Sequence, residues 1–366
     1  MAEVLSMIGH VKDTTRVLRR AYDERQAYGR QLVEFFASHD IRKAYFVGSG
    51  TSHNASLVIR DMFMDIAGIE GVACEPTIFA YHEDVNPNGI YRKDQIVVFG
   101  LSQHGDSSST CAAIKAAKAQ GLFTIGVTED LTSYITTISD MPLHLVCGRE
   151  EIGPETRGYT ETLMQFYILA IEIARAKGRI DKARYEKLDD DARQLIANFD
   201  AVISESIAWF ERNQEELVKM YKSSIAGYGI NFPTAQEGRL KLMETFGQPC
   251  MYYEMEEQMH GPLRAYGPDN YMFVIGSEGK QEYARFLTLI PYFKEAFTQH
   301  VFVVTAEKYE GTAKDLVFTV HTTDVLSPIM YVVTFQVLAA LLCEKIGKDT
   351  KVSPIKNKRL SGHMTH

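Results

Sequence analysis

The stretch KAYFVGSGTSHNAS, residues 43–56, decides how the chain is read. A short apolar run ends in a turn rich in glycine and serine, and the turn opens directly into the helical sequence SLVIRDMFMDIAG. The same grammar returns at QIVVFGLSQHGDSSSTCAAIKAAKAQG, residues 95–121, followed by the apolar run LFTIGVTED. Short apolar runs alternating with helical stretches predict βαβ units and a parallel sheet.

Outward from this core, residues before about Asp40 have the spacing of two amphipathic helices. Between Lys177 and Ser206 the chain turns highly charged (KGRIDKARYEKLDDDARQ), which reads as a solvated linker helix. The second half repeats the first more weakly. SSIAGYGINFPTAQEG is again a glycine turn leading into a helix, and YMFVIGSEG, HVFVVTAE and DLVFTVHTT read as strands. A long apolar helix from about Ser327 closes the pattern. The expected organisation is a duplicated α/β domain in tandem: N-terminal helices 1–40, a first domain 41–180, a linker 181–205, a second domain 206–346 and a tail 347–366.

Bulk composition agrees. The 366 residues suit two domains, and 45% hydrophobic with 23% charged residues is the balance of a globular chain with a sizeable core. A net charge of -8 argues against nucleic acid as the main partner, but not against a small anion held by backbone amides. The five cysteines are scattered without a CxxC pair, so neither a zinc site nor a disulfide framework is expected. The opening MAEVLSMIGHVKDTTRVLRR lacks the apolar stretch of a signal peptide. The run Ile329–Cys343 is short for a membrane span and contains Thr334 and Gln336, which predicts a buried helix. A cytoplasmic location with no membrane partner is expected.

Two constellations carry chemistry. Each serine-rich turn follows a strand and precedes a helix, so hydroxyls and free amides converge at a positive helix end. The anion donors are Gly50, Thr51 and Ser52 in the first turn, and Ser102, Gln103 and Ser107 in the second. Serine and threonine also serve as ordinary N-caps. Two such turns at the C-terminal ends of strands in one domain favour a ligand site. Neither GxxxxGK[ST] nor GxGxxG occurs, so nucleoside triphosphates and dinucleotides are not indicated. The second constellation is Glu237, Lys241 and Glu244, spaced four and three apart on one helix face, followed by His260 in an HGPL turn. A solvated ion-pair stripe has the same spacing. Apolar Leu240, Leu242 and Met243 flank this one.

The loops GSGTS and LSQHGDSSST resemble the two phosphate-binding loops of the sugar isomerase (SIS) family. The likeness extends over nearly the whole chain and is strongest to the isomerase half of glucosamine-6-phosphate synthase and to the fructosamine-6-phosphate deglycases. EIGPETRGYT (Glu151–Thr160) is similar to the family's EIG…T stretch, one residue shorter than in the synthase. EGRLKLMET and EEQMHGPL are similar to its catalytic segment at the same spacing. One departure stands out: His104 takes the place of a second serine in the phosphate loop, where it can donate to phosphate, narrow the pocket or tune its pH response.

The resemblance implies two parallel-sheet SIS domains and roles for individual residues. Glu244 matches the carboxylate base that moves a proton between C1 and C2 of an open-chain sugar. His260 matches the ring-opening histidine or general acid, commonly supplied by the neighbouring subunit, so a homodimer with shared active sites is expected. Lys241 would hold sugar hydroxyls or balance the carboxylates, and Glu237 would orient the segment or the amine. In the tail, Lys358 stands where the synthase forms a Schiff base with its ketose, with Lys356 as a substitute. Residues around Glu155, Arg157 and Tyr159, or Tyr252–Met255, would set amine specificity. No metal or organic cofactor is implied.

The first loop begins within about fifty residues of the start, and no N-terminal cysteine of a glutaminase precedes it. Hydrolysis of a 6-phosphorylated fructosamine or glucosamine-type amino-acid conjugate is therefore the expected reaction. The alternatives are a phosphosugar isomerase or glucosamine-6-phosphate deaminase, a non-catalytic phosphosugar sensor, and a protein-binding regulator of sugar phosphorylation. The sensor reading predicts a DNA-binding helix-turn-helix, and no such segment occurs before Lys43.

Overall fold

The computed structural model describes residues 5–277 and 280–349. In chain order the helices α1 (Met7–Lys12), α2 (Thr14–Asp23) and α3 (Arg25–Ser38) lead into β1 (Lys43–Gly48), α4 (Thr51–Met62), β2 (Glu70–Cys74), α5 (Pro76–Tyr81) and β3 (Ile96–Leu101). Then come α6 (Ser108–Ala119), β4 (Phe123–Thr128), α7 (Tyr134–Ile138), β5 (Met141–His144) and the long α8 (Arg157–Ala176). Helices α9 (Lys182–Ala197) and α10 (Phe199–Leu217) precede β6 (Lys222–Gly227), α11 (Phe232–Thr245), β7 (Cys250–Glu254) and β8 (Asn270–Gly276). The chain finishes with α12 (Lys280–Ala296), β9 (Val301–Thr305), β10 (Leu316–Val317) and α13 (Ser327–Lys345).

Two five-stranded sheets result, in the orders β2-β1-β3-β4-β5 and β10-β9-β8-β6-β7, with every pairing parallel. Read from its other edge, the second sheet repeats the order of the first, so the duplication expected from sequence is present as topology. The central strands are buried on both faces, as parallel strands between helical layers must be. In the first unit, Phe36, Phe46, Phe63, Phe99 and Phe166 stack on one face of the sheet. Tyr45, Val98, Phe79 and Ile114 pack together in a second core cluster. In the second unit, Trp209, Phe273, Phe302 and Phe335 cluster in the same way. Apolar α13 is buried through nearly its whole length.

The compact units do not follow the linear partition expected from sequence. One comprises residues 16–151 and 157–193; the other comprises the described residues of 1–15, 152–156 and 194–352. The N-terminal segment forms three helices rather than two, because the chain turns at Asp13 and again at Glu24. Helix α1 packs with α10 and α13, whereas α3 packs on α8. The charged linker is likewise two helices, parted at Asn198, and α9 is tied to α8 through the Tyr167 hydroxyl donating to Leu188 O at 3.1 Å. The run read as a strand at DLVFTVHTT forms only the short β10. Just before it the Asp315 carboxylate accepts from Val303 N (2.8 Å) and Thr312 N (2.8 Å), which turns the chain inward.

Candidate functional site

In a sheet ordered 2-1-3-4-5 the connections from β1 and β3 leave in opposite directions, and ligands bind in the crevice between them at the strands' C-terminal ends. Both serine-rich turns lie there. The first runs from the end of β1 into α4, whose N-cap is Gly50 at φ 56°, a left-handed conformation that a side chain would strain. Ser52 N donates to Ser49 O (3.1 Å) and Asn54 N to Gly50 O (3.0 Å), while Thr51 and Ser52 stay half-buried at the helix start.

The second turn runs from β3 into α6. Gly105 N donates to Ser102 O (2.9 Å), and Ser107 N donates to Ser102 Oγ (3.3 Å). The Gln103 carbonyl accepts from Glu129 N (2.8 Å) and Thr128 Oγ1 (2.9 Å), so the end of β4 holds the turn in place. The two turns meet: Ser49 Oγ lies 3.3 Å from Ser109 Oγ. Gln103 is buried, yet its Nε2 donates to nothing among the described residues. A buried amide donor without a partner is costly, and a ligand oxygen would satisfy it. Its carboxamide rests against Gly158 at the start of α8, where an added Cβ would lie 2.1 Å from Gln103 Oε1.

The second sheet treats its equivalent position differently. Its order changes direction between β6 and β8, and there the buried Tyr228 hydroxyl donates to Ser277 O (2.5 Å) and accepts from Ser277 N (3.0 Å). A tyrosine ties together the ends that the first sheet leaves lined with serines.

The other constellation lies on α11. Glu237 and Lys241 are both 0% exposed, with Lys241 Nζ 3.3 Å from Glu237 Oε1 and 2.9 Å from Glu244 Oε2; Glu244 remains 34% exposed. The charged stripe is thus the inward face of the helix, and the apolar flank expected around it is partly reversed: Leu242 is buried, but Met243 is exposed. Burial alone would push the Lys241 ammonium toward neutrality; the Glu237 and Glu244 carboxylates outweigh it, with Glu155 adding to them, and hold its pKa above the usual lysine range. Lys241 is therefore a fixed cation that orients Glu244, the one member of the triad open to solvent. Close helix packing supports the stripe, since a Cβ on Gly238 would meet the Phe335 ring at 2.7 Å.

His260 is exposed in the turn after β7, with no hydrogen bond to its ring among the described residues and the Glu256 carboxylate nearby. That turn is shaped by Glu254 Oε2, which accepts from Glu256 N (2.7 Å) and Glu257 N (3.0 Å). Of the specificity candidates, Glu155 acts on Lys241, and Tyr252 lies beside the Phe232 ring and the Arg239 guanidinium. Arg157 and Tyr159 are instead buried, and Arg157 donates to Gly148 O and Arg149 O. Lys356 and Lys358 lie outside the described residues. Sequence reading missed Ser109, Glu129 and Glu150. The last accepts from Gly158 N at 2.7 Å and so fixes the start of α8 under Gln103.

Residues 39–172, which carry both serine turns, match the family model of the SIS domain. Over these residues the chain is similar to the SIS domain. It is 28% identical over 98% of its length to the glutamine–fructose-6-phosphate aminotransferase (isomerizing) of Thermococcus kodakarensis, and 28% identical over 85% to that of Gloeobacter violaceus. It spans 58% and 50% of these relatives, about half the length of the curated proteins it matches. A Clostridium difficile 630 protein provisionally described as a phosphosugar isomerase superposes with a TM-score of 0.87 at 26% identity, each chain covered to 97%. The C-terminal domain of the Francisella tularensis glucosamine-fructose-6-phosphate aminotransferase shares the fold, with a TM-score of 0.81 at 18% identity and 95% of this chain and 98% of that one covered.

Proposed function

We propose that this SIS chain is a deglycase for 6-phosphorylated fructosamine- or glucosamine-type amino-acid conjugates. The observation that carries the enzymatic part is the α11 triad: a fully buried ammonium holds in place one carboxylate, Glu244, that is open to solvent. The serine turns would take the 6-phosphate through the amides and hydroxyls of Gly50, Thr51, Ser52, Ser102 and Ser107 and the spare Gln103 amide. The names of the relatives, one a glutamine–fructose-6-phosphate aminotransferase and one described as a phosphosugar isomerase, support a phosphosugar as the ligand class.

In a conjugate with nitrogen on C1 beside the C2 ketone, Glu244 removes a C1 proton to give an enaminol. Return of a proton to C2 leaves an imine at C1, and water releases glucose 6-phosphate and the free amine. With nitrogen on C2, the mirror sequence gives fructose 6-phosphate. His260 is assigned the proton transfers at the sugar oxygen, in a homodimer whose partner supplies it. Replacing Glu244 by Gln tests the assignment: turnover is expected to fall about 10²- to 10⁴-fold, the usual worth of a general base, with phosphosugar binding retained. Unchanged turnover would remove Glu244 from the chemistry.

A further inference from the structure

The two anion-binding turns, residues 49–52 and 102–107, contain no lysine or arginine. His104 is the only side chain in them able to carry positive charge, and Asp106 in the same turn carries the opposite sign. His104 is 29% exposed, and its Nδ1 lies 3.5 Å from Glu129 Oε1 in the turn after β4. The Glu129 side chain is only 9% exposed, and its Oε1 is buried without a hydrogen bond among the described residues. A buried carboxylate in that state is compensated chiefly by a cation, and an imidazole at this distance becomes one by taking a proton. Around the pair, Asp130 also feels His104 and is influenced in turn by Arg149, and the His144 ring on β5 is bonded to the Glu129 carbonyl rather than to its carboxylate.

We propose that Glu129 is a positioning residue that holds His104 as a proton-dependent cation, so that the turn takes a phosphate dianion together with a proton. The inference rests on the phosphosugar reading above and adds to it the source of positive charge. The proton comes from solvent or buffer and forms an N–H bond on the imidazole, and no bond of the sugar phosphate changes. Serine at position 104 would bind phosphate through a neutral hydroxyl, without proton coupling.

The test is calorimetric titration of glucose 6-phosphate into the full chain between pH 7 and 8.5, where the phosphate is already mostly dianionic, in buffers of differing ionisation enthalpy. In the wild type, net proton uptake is expected, with affinity falling several-fold across the range. His104→Ser is expected to bind with no uptake and a flat profile. Glu129→Gln is expected to bind with reduced uptake and its fall in affinity moved to lower pH. Identical proton uptake in wild type and His104→Ser would overturn the proposal and leave the phosphosugar reading standing. Absence of binding in all three proteins would overturn both.

Discussion

At the scale of single residues, two buried charges make opposite demands on the protein. Lys241 compensates Glu237, which has no access to water. Removing one partner of such a pair leaves an uncompensated charge, which costs about 3–5 kcal/mol. Lys241→Met is therefore expected to destabilise the protein by roughly that amount in urea denaturation, and adding Glu237→Gln should recover part of the loss. Glu161 on α8 is the reverse case. It is fully buried; desolvation pushes its pKa up to about 8, against a smaller pull from the Val146 backbone amide, Arg20 and Arg157. Folding raises this pKa, so the folded state binds the extra proton between about pH 4.5 and 8. The contribution of Glu161 to stability is then lost as pH rises through that window, at up to about 1.4 kcal/mol per unit. Glu161→Gln should show a shallower decline than wild type, with the gap between them widest near pH 8. Parallel stability–pH curves would exclude a neutral Glu161.

At the scale of elements, the anion site depends on how closely helices approach the turns. Gly158 lets the start of α8 pass under Gln103, and Glu150 fixes that start. Gly158→Ala is expected to displace the Gln103 amide and weaken phosphosugar binding by roughly 10- to 100-fold, the worth of a hydrogen bond to a charged group, with little change in thermal midpoint. The serine turns themselves were legible in the sequence, because glycine and hydroxyl punctuation between an apolar run and a helix is a local signal. Strands β2 and β7 were not, since an edge strand such as EGVAC or CMYYE is only partly buried and its apolar run is short. The spacing of Glu237, Lys241 and Glu244 showed that they share a face, but that spacing is the same whether the face looks inward or outward. Only packing against Phe335 decides it. Glu129 escaped notice because its partner His104 lies on the neighbouring strand's turn, twenty-five positions earlier in the chain.

At the scale of the molecule, duplication has produced two sheets of one topology with unlike switch points. The first is lined with serines; the second is bridged by Tyr228. One phosphosugar per chain is therefore expected, and a calorimetric stoichiometry near two would contradict the reading of Tyr228 as a bridge that takes the place of a ligand site. The proposed homodimer should appear in sedimentation, and mixing Glu244→Gln with His260→Ala protein should restore activity if the subunits share sites. The central claim is the deglycase reaction itself. It is tested most directly by giving the purified protein fructoselysine 6-phosphate, glucoselysine 6-phosphate and glucosamine 6-phosphate, and following release of glucose 6-phosphate or fructose 6-phosphate. Release from one of the two lysine conjugates, lost in Glu244→Gln, is the predicted result. Turnover of glucosamine 6-phosphate alone, or binding of all three without any product, would contradict it.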